Sequence, residues 1–265
     1  MRVYVEGIGL LGPGLNGWMN SIPLLKNTGE WKMYPLCVPD PVSLPAVERR
    51  RAGQAVRLAL AVGFEAHVNA QRDPSVTETV FTSSGGDSPS LHTNCEALAH
   101  TNPEVSPTRF HNSVHNAPAG YWGIASRSRE PSTSLCAFDA SFAVGLLHST
   151  VHVLIDHRVV ALIAYDVPYT DPIDHVRPII SAFATSFLLT PEKTEHAIAC
   201  LDIMRMDGRK RPWLPVMDPD MAKLSLGTPA GRSLPLLIAI ASGLTMKVDI
   251  EELPGHRLEV EVSAC

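Results

Sequence analysis

The sequence has little charge, few aromatic residues and no long apolar run. Charged residues make up 18% of its 265 residues and aromatic residues 6%, and the net charge is −5. This composition is ordinary for a soluble globular chain and gives no support to nucleic-acid binding, which normally needs a basic face. No apolar run reaches about 18 residues, and the first residues lack a basic start before an apolar core. We therefore expect no membrane span, no secretory leader and a cytoplasmic location.

The cysteines and histidines also lack the patterns of disulfide frameworks and metal sites. The five cysteines form no C-x-x-C pair, which suggests reduced thiols. The histidines form no H-E-x-x-H motif and no zinc-spaced cluster with cysteine. His148 and His152 could share a helix face, but no third ligand stands at a suitable spacing. We therefore expect neither a metal nor a cofactor.

The first 167 residues alternate between strand and helix patterns, which predicts a layered α/β domain. Residues 3–10 are rich in β-branched residues and predict an opening strand. Residues 158–167 are nearly all apolar, which is typical of a strand buried on both faces. Residues 46–71 predict one long helix, with an apolar stripe formed by Val56, Leu60, Phe64 and Val68. Further strands are predicted over residues 76–82 and 132–136, and further helices over residues 88–100, 106–126 and 137–155.

The remaining residues change character. Residues 180–189 and 196–204 predict strands, and residues 207–231 resemble a loop because of their prolines and glycines. Residues 232–243 predict a short buried helix. The last twenty or so residues alternate apolar and polar side chains around a Pro-Gly turn, which predicts a β-hairpin.

Four separated segments follow one another in an order that indicates a known family. They are VYVEGIGLLGPGLNGW at 3–18, ETVFTSSGGD at 78–87, SPTRFHNSVHNAPAGYWGIASR at 106–127 and STSLCAFDASFAVGLL at 132–147. Together they resemble the N-terminal half of a β-ketoacyl synthase, within the thiolase-like superfamily. The third resembles that family's S-P-x-x-F-x-x-S-x-x-N-x-x-x-G block, and the fourth its active-site cysteine and the helix that follows. The most similar subfamily is that of the chain-length-factor-type subunits, which are partners in type II fatty-acid and polyketide systems, including aryl-polyene clusters.

The resemblance implies a fold and a domain organisation. The fold would be the thiolase-like layered α/β fold, in which helices surround a mixed sheet. Residues 1–265 would form a single ketosynthase-like domain. Within it, residues 1–190 would be a complete N-terminal half and residues 191–265 a reduced C-terminal half.

The resemblance also implies which chemistry the chain lacks. A condensing enzyme holds the acyl chain on a thiolate and uses two polar groups, normally histidines, for decarboxylation and enolate stabilisation. In the family these histidines lie in H-G-T-G-T-like and N-x-x-H-G-like segments. The present sequence has neither, and after His196 it has only His256, in the turn of the predicted hairpin. We therefore expect that the chain does not catalyse condensation by itself.

Cys136 stands at the position that the resemblance gives to the nucleophile. A cysteine at a helix N-terminus gains backbone N–H donors and a favourable dipole, both of which favour the thiolate. Asp139, three residues further on, would compete for those donors and disfavour the thiolate, and Phe138 adds bulk beside the sulfur. The alternative is a buried structural cysteine, because free cysteine is among the most buried residue types. We favour the structural role.

A second combination of residues deserves comparison with hydrolases. His111, His115 and Asn116 could join Cys136 in a Cys–His–Asn arrangement. In the resembled family this block is a helix near the dimer interface, and its Asn and Gly residues are structural. We favour that interpretation.

The leading functional hypothesis is a catalytically incomplete subunit that pairs with a full-length ketosynthase and limits chain length by blocking its acyl tunnel. The candidates for the tunnel or the interface are Phe110, Asn116, Trp122, Phe138, Asp139 and Phe142. One alternative is an independent acyl transferase or thioesterase that uses Cys136. Another is a scaffold that binds the acidic acyl carrier protein through a basic patch. The candidate patches are Arg127 with Arg129, or Arg205 with Arg209, Lys210 and Arg211.

Overall fold

The strands of the chain join into one mixed sheet. The structure is a computed structural model that describes residues 1–207, 215, 217–253 and 255–265. Its strands are β1 (Arg2–Gly12), β2 (Leu15–Asn16), β3 (Glu78–Thr82), β4 (Ser132–Leu135), β5 (Val160–Asp166), β6 (Phe183–Thr190), β7 (Ala199–Asp207), β8 (Met246–Leu253) and β9 (His256–Ala264). The order across the sheet is β4–β3–β5–β6–β1–β7–β9–β8, and β2 pairs with the end of β1.

The sheet has a parallel part and an antiparallel part. β4 and β5 both run parallel to β3, whereas the pairs from β5 through β6, β1, β7, β9 and β8 are antiparallel. β5 is buried along its whole length, as its continuous apolar sequence predicts. The hairpin of β8 and β9 is also confirmed. The sheet runs through both proposed halves, and their division at residues 190 and 191 stays a prediction.

Helices cover both faces of the sheet. They are α1 (Trp18–Leu25), α2 (Ala46–Arg51), α3 (Gln54–Ala70), α4 (Ser88–Ala99), α5 (Pro107–Ser113), α6 (Ala117–Ser126), α7 (Ser141–Asp156), α8 (Ile173–Val176), α9 (Pro219–Gly227) and α10 (Leu234–Ser242). α3 and α6 pack with Phe81 and Ile163 on one face, and α7 and α10 pack with Val80 and Leu162 on the other. Since neighbouring strand residues point to opposite faces, these are the two core layers of the predicted α/β architecture.

The close packing of α3 on β1 depends on two glycines. A Cβ atom at Gly9 would lie 1.9 Å from the carbonyl oxygen of Val62, and one at Gly7 would lie 2.1 Å from that of Ala66. Both distances are far inside van der Waals contact, so a side chain at either position would push the helix from the sheet.

The predicted helix over residues 46–71 is wrong in one respect, because the chain breaks between α2 and α3. Ala52 and Gly53 are extended there. Asn112 donates a hydrogen bond from Nδ2 to the carbonyl oxygen of Arg51 at 2.7 Å, and Asp87 packs where a Cβ of residue 53 would lie. Partners distant in sequence therefore interrupt the helix. The predicted apolar stripe is also incorrect at Val68, which is 74% exposed.

Two other segments differ from the predictions. Residues 106–126 form two helices, α5 and α6, because the chain is extended at Val114. Residues 207–231, predicted as a loop, contain α9. Its N-terminus is capped by Asp218, whose side chain accepts hydrogen bonds from the backbone N–H groups of Asp220 and Met221. The short helix predicted over residues 232–243 is confirmed as α10.

The segment Phe138–Asp156 passes a length and composition test for a membrane span, contrary to the expectation from the sequence. About half of it is buried inside the fold, where α7 packs against β3 and β5. A core helix passes the same test, and the absence of a membrane span stays a prediction.

Candidate functional site

The candidate site lies where the three parallel strands end. Cys136 follows β4, the loop from Ser83 to Asp87 follows β3, and Asp166 is the last residue of β5. The carboxyl ends of parallel strands meet at one edge of a sheet, which is where α/β folds usually bind ligands. The register of the three strands therefore brings these loops together.

Asp166 organises this edge of the sheet. Its Oδ1 accepts hydrogen bonds from the backbone N–H and the hydroxyl of Ser84, both at 2.8 Å, and from the hydroxyl of Ser83 at 3.2 Å. Its Oδ2 accepts one from the backbone N–H of Ala230 at 2.7 Å. The side chain is fully buried, and burial raises its pKa to about 6. The carboxyl group thus fastens the loop after β3 to the segment before α10.

Cys136 is exposed, so the expectation that it is buried is wrong, whereas its structural role stays a prediction. Its sulfur donates a hydrogen bond to the carbonyl oxygen of Ser84 at 3.3 Å. The reason for the exposure is that β4 is a short strand at the edge of the sheet and ends at Leu135. A reagent or substrate can therefore reach the sulfur.

The chain turns sharply between Cys136 and α7. A short 3-10 turn covers Phe138–Ala140, and α7 begins only at Ser141. Ser141 stabilises the turn, since its hydroxyl donates to the carbonyl oxygen of Phe138 at 2.7 Å and accepts from the N–H of Ala137 at 3.1 Å. Cys136 therefore lies five residues before the first residue of α7, with a 3-10 turn between them.

Asp139 binds two arginines. Its Oδ1 lies 2.5 Å from Nη2 of Arg177, and its Oδ2 lies 3.2 Å from Nη2 of Arg232. Arg232 also pairs with Glu251 of β8 at 3.0 Å. The carboxylate of Asp139 thus pairs with two largely buried guanidinium groups, and its expected effect on Cys136 stays a prediction.

Phe138, the residue before Asp139, contacts Arg177 and has an unusual backbone conformation. Its φ is +54°, a region that bulky residues rarely adopt. The ring is 60% exposed, and the guanidinium carbon of Arg177 lies 3.6 Å from its centroid, a cation–π contact. We call Phe138, Asp139, Arg177 and Arg232 the arginine cluster. Sequence reasoning missed both arginines, because they are remote in sequence and belong to no motif.

The histidines do not form a hydrogen-bonded set with Cys136. Nε2 of His115 lies 3.0 Å from the carbonyl oxygen of Ser83, next to the carbonyl that the thiol uses. His111 is exposed and packs edge-on against Tyr121. His256 pairs with Asp207 at 2.7 Å, at the end of the β7–β9 pair. The Cys–His–Asn combination weighed from the sequence is therefore not assembled by these contacts.

The candidates for the tunnel or the interface have different environments. Phe110 and Phe138 are largely exposed, and Asn116 is exposed at the N-terminus of α6. Trp122 is buried between α3 and the sheet, with Phe64 and Phe81 against its ring, whereas Phe142 is buried on the other face. Trp122 and Phe142 are thus core residues of this chain. Their assignment to a tunnel or interface, like that of the others, stays a prediction.

At this edge of the sheet lie the exposed Cys136, the buried carboxyl group of Asp166 and the arginine cluster. Acylation of a thiol requires that it be reachable and that it be deprotonated to the thiolate. Decarboxylation and enolate stabilisation additionally need polar groups directed at the bound substrate. The hydrogen bonds and ion pairs of the described residues supply no histidine for that purpose beside Cys136.

Comparison with known proteins identifies the class of this fold and site. The family model described as β-ketoacyl synthase, N-terminal domain, matches residues 29–212. The chain belongs to this family. No curated protein matches it.

Solved structures give the same fold over nearly the whole chain. One is the ketosynthase ApeO in complex with its chain length factor ApeC from Xenorhabdus doucetiae, with a TM-score of 0.73, 20% identity, and coverage of 98% of this chain and 99% of that chain. A second is the ishigamide ketosynthase/chain length factor, with a TM-score of 0.72, 12% identity, and coverage of 99% of both chains. A third is AntDE:AntF, a type II polyketide synthase acyl carrier protein in complex with its ketosynthase, with a TM-score of 0.74, 10% identity, and coverage of 100% of this chain and 99% of that chain. The predicted thiolase-like layered fold is therefore confirmed.

Proposed function

We propose that this chain is a catalytically incomplete ketosynthase-like subunit that pairs with an active ketosynthase and shapes its acyl tunnel, as a chain length factor does. The pathway would be fatty-acid or polyketide biosynthesis, with aryl polyenes among the candidate products, and the location cytoplasmic. Two of the similar structures are described as pairs of a ketosynthase and a chain length factor, which supports a partner of this kind. No nucleic acid, membrane span or cofactor belongs to the proposal.

The observation that carries the proposal is the open outer edge of β4. The carbonyl oxygens of Pro131 and Leu135 accept hydrogen bonds from β3, namely from the N–H groups of Thr79 and Ser83. In a parallel pair alternate residues bond to the same neighbour, so the backbone N–H and C=O groups of Ser132 and Ser134 point away from β3. β4 is the last strand on this side of the described sheet. Such an edge is a template for a strand of another chain.

Apolar side chains on neighbouring elements support pairing at the same edge. Phe110 on α5 is 61% exposed, Ile124 on α6 is 48% exposed and Phe138 after β4 is 60% exposed. Scattered apolar side chains are normal on a surface, but Phe138 directly follows β4 and Ile124 lies on α6, which packs against β4, so these two side chains would extend an interface at the strand edge. Phe110 and Phe138 would then reach the partner's acyl tunnel.

Catalytic incompleteness has support from the arginine cluster and from the histidines. Asp139 is held by Arg177 and Arg232 at the turn, so it is not available as a free base. His115 is bonded to a backbone carbonyl, and His256 is paired with Asp207. The condensing chemistry would therefore belong to the partner.

The decisive experiment is co-expression with a full-length ketosynthase encoded beside this chain. We expect a stable 1:1 complex. The variant Ser134→Pro removes an outward N–H without removing a bond to β3, so it should weaken the complex while the isolated chain stays folded. Ser134→Ala keeps the N–H and is the matched control. A chain that remains a monomer in the presence of the ketosynthase, or a complex that Ser134→Pro leaves unchanged, would contradict the proposal.

The exposed thiol supports a second candidate, an acyl transferase or thioesterase that uses Cys136. This function requires that Cys136→Ala abolish acyl turnover by the isolated chain, while Cys95→Ala, at another exposed cysteine, leaves it unchanged. Equal turnover by both variants, or none by the wild type, would remove this candidate.

A third candidate function is the binding of an acyl carrier protein, suggested by the carrier protein in one of the similar complexes. Arg127 and Arg129 are exposed at the end of α6 and could meet an acidic partner. Arg205 is already paired with Glu252 at 2.6 Å, and Arg209, Lys210 and Arg211 lie outside the described residues. If Arg127→Glu with Arg129→Glu leaves carrier binding unchanged, these arginines have no such role.

A further inference from the structure

A second cluster of titratable side chains lies at the end of α7 that is remote from the candidate site. α7 runs from Ser141, near the carboxyl ends of the parallel strands, back to the ends where these strands begin. There His148, His152 and Asp156 recur at intervals of four residues, which places them on one helix face. β3 begins beside this face with Glu78.

The side chains converge on one point. Oε1 of Glu78 lies 2.6 Å from Nδ1 of His152, and Oδ2 of Asp156 lies 3.5 Å from the same nitrogen. One ligand atom from each of the three lies within 4.8 Å of the others. The ring centroids of His148 and His152 are 4.4 Å apart. Nε2 of His148 is buried without a hydrogen-bond partner.

One carboxyl group of this cluster is buried. Only 4% of the Glu78 side chain is exposed, and a buried carboxylate needs a compensating cation or hydrogen-bond donors. Two carboxyl groups face the same imidazole nitrogen, Nδ1 of His152. A divalent cation at this point would compensate both carboxylates.

The donor types and their spacing suit a transition metal. Imidazole nitrogens and carboxylate oxygens are ordinary zinc ligands at about 2.0–2.2 Å, which places neighbouring ligand atoms of a tetrahedral site about 3.3–3.5 Å apart. The separations in the cluster lie on both sides of that value. Imidazole also favours zinc over magnesium or calcium, which prefer all-oxygen sites.

We propose that Glu78, His152 and Asp156 form a binding site for one Zn²⁺ ion, with the tilted ring of His148 packed against His152 as a positioning residue. The metal would bind Nδ1 of the neutral His152 ring, which would carry its one remaining proton on Nε2; a second proton, if the ring is an imidazolium, would pass to solvent. The site joins the start of β3 to the last turn of α7. Because it lies at the opposite end of α7 from Cys136, its role is structural, and it is independent of the function proposed above.

A second histidine–carboxylate group provides a matched control. Asp171, Asp174 and His175 also bring their ligand atoms together, but Asp171 and His175 are 77% and 75% exposed. Exposed side chains of this kind stay hydrated, and they hold a fixed geometry less firmly than a cluster built on a buried carboxylate does. They should not bind zinc at stoichiometric concentration.

The experiment uses the full chain, together with its ketosynthase partner if the complex is needed for stability. Metal is removed with a chelator, Zn²⁺ is titrated back by calorimetry, and Co²⁺ absorbance reports a tetrahedral nitrogen and oxygen site. We expect one Zn²⁺ per chain and a rise in the unfolding midpoint. His152→Gln and Asp156→Asn should each weaken zinc binding by roughly tenfold or more, and His175→Gln should not change it.

Three outcomes would overturn the proposal. They are no stoichiometric zinc binding by the wild type, binding that survives His152→Gln and Asp156→Asn, and binding that is lost in His175→Gln instead. Asp156 is half-exposed on the last turn of α7, so Asp156→Asn is expected to fold even if a variant at the more buried His152 or Glu78 does not. The state of the ketosynthase complex, measured separately, decides the proposed function independently.

Discussion

The guanidinium group of Arg177 lies against the ring of Phe138 at 3.6 Å and pairs with the carboxylate of the next residue, Asp139, at 2.5 Å. One side chain thus holds two consecutive residues of the turn between β4 and α7. The left-handed conformation of Phe138 is compensated by these contacts, because strained backbone persists only where its surroundings determine it. Four predictions address this turn and the fold that carries it.

The first prediction concerns the arginine cluster. Asp139→Asn removes the carboxylate that pairs with Arg177 and Arg232, both less than a fifth exposed, and leaves Arg232 with Glu251 as its ion-pair partner. We expect the free energy of unfolding to fall by about 1–3 kcal/mol in urea titrations. Asp202→Asn, which breaks the exposed ion pair with Arg2, is the control and should cost less than about 1 kcal/mol. Equal losses in both variants would mean that the cluster contributes no more than a surface pair.

The second prediction concerns the reactivity of the thiols. Cys136 is exposed, whereas Cys200 is buried and its burial, followed by the nearby Asp202, raises the pKa of its thiol. Alkylation of the native chain at neutral pH should therefore modify Cys136 well before Cys200. Mass spectrometry of peptides taken at successive times checks the order. Modification of Cys200 first would show that the turn around Cys136 is closed in solution.

The third prediction concerns Asp166 and pH. Burial raises its pKa in the folded chain from an ordinary 3.8 to about 6, so the folded state binds the proton more tightly than the unfolded state does. The stability that this adds is fully present below the unfolded pKa and is lost as the pH rises through about 6. The excess stability of the wild type over Asp166→Asn should therefore shrink with rising pH, by at most ~1.4 kcal/mol per unit.

Urea unfolding of both chains at several pH values between about 4 and about 7 tests the sign. Asp166→Asn itself should be destabilising, because an amide group must direct its NH₂ at the N–H donor of either Ser84 or Ala230. A difference that widens as the pH rises would instead show that the donors around Asp166 keep the folded carboxyl group ionised.

The fourth prediction concerns the contact of α3 with β1. Gly9→Ala would place a methyl group 1.9 Å from the carbonyl oxygen of Val62, and we expect a loss of about 3 kcal/mol or more. Gly120→Ala is the matched control, since a Cβ there meets no atom within 4 Å. That variant should gain up to about 1 kcal/mol from its better helix propensity. A small loss in Gly9→Ala would mean that α3 moves freely on the sheet.

The elements whose pattern is local were predictable from the sequence. β5 was identified from its short, continuous apolar run, and the β8–β9 hairpin from the alternation of apolar and polar residues around a turn. α9 was missed although its signal was present: Asp218 precedes a proline at the first helical position, which is an ordinary N-cap. The prolines and glycines of residues 207–231 led to the prediction of a loop instead of this helix.

The features that depend on distant residues could not be predicted in this way. The break between α2 and α3 requires Asn112 and Asp87, and the charge on Asp139 is absorbed by Arg177 and Arg232. The sequence showed that His148 and His152 could share a helix face but offered no third ligand, because Glu78 lies on β3, about seventy residues earlier in the chain. Only the register of the sheet and the packing of α7 bring such residues together.

The position of β1 has a consequence for the order of folding. β1 is made first, yet Tyr4 lies opposite Thr190 in β6 and Arg2 lies opposite Asp202 in β7. Contacts between residues so far apart in sequence form late, because a long loop must close, at a cost in chain entropy, before the contacts stabilise the fold. A nascent chain therefore carries most of this apolar strand without its two long-range partners, β6 and β7, until about 200 residues have been made, although the end of β1 can pair early with β2.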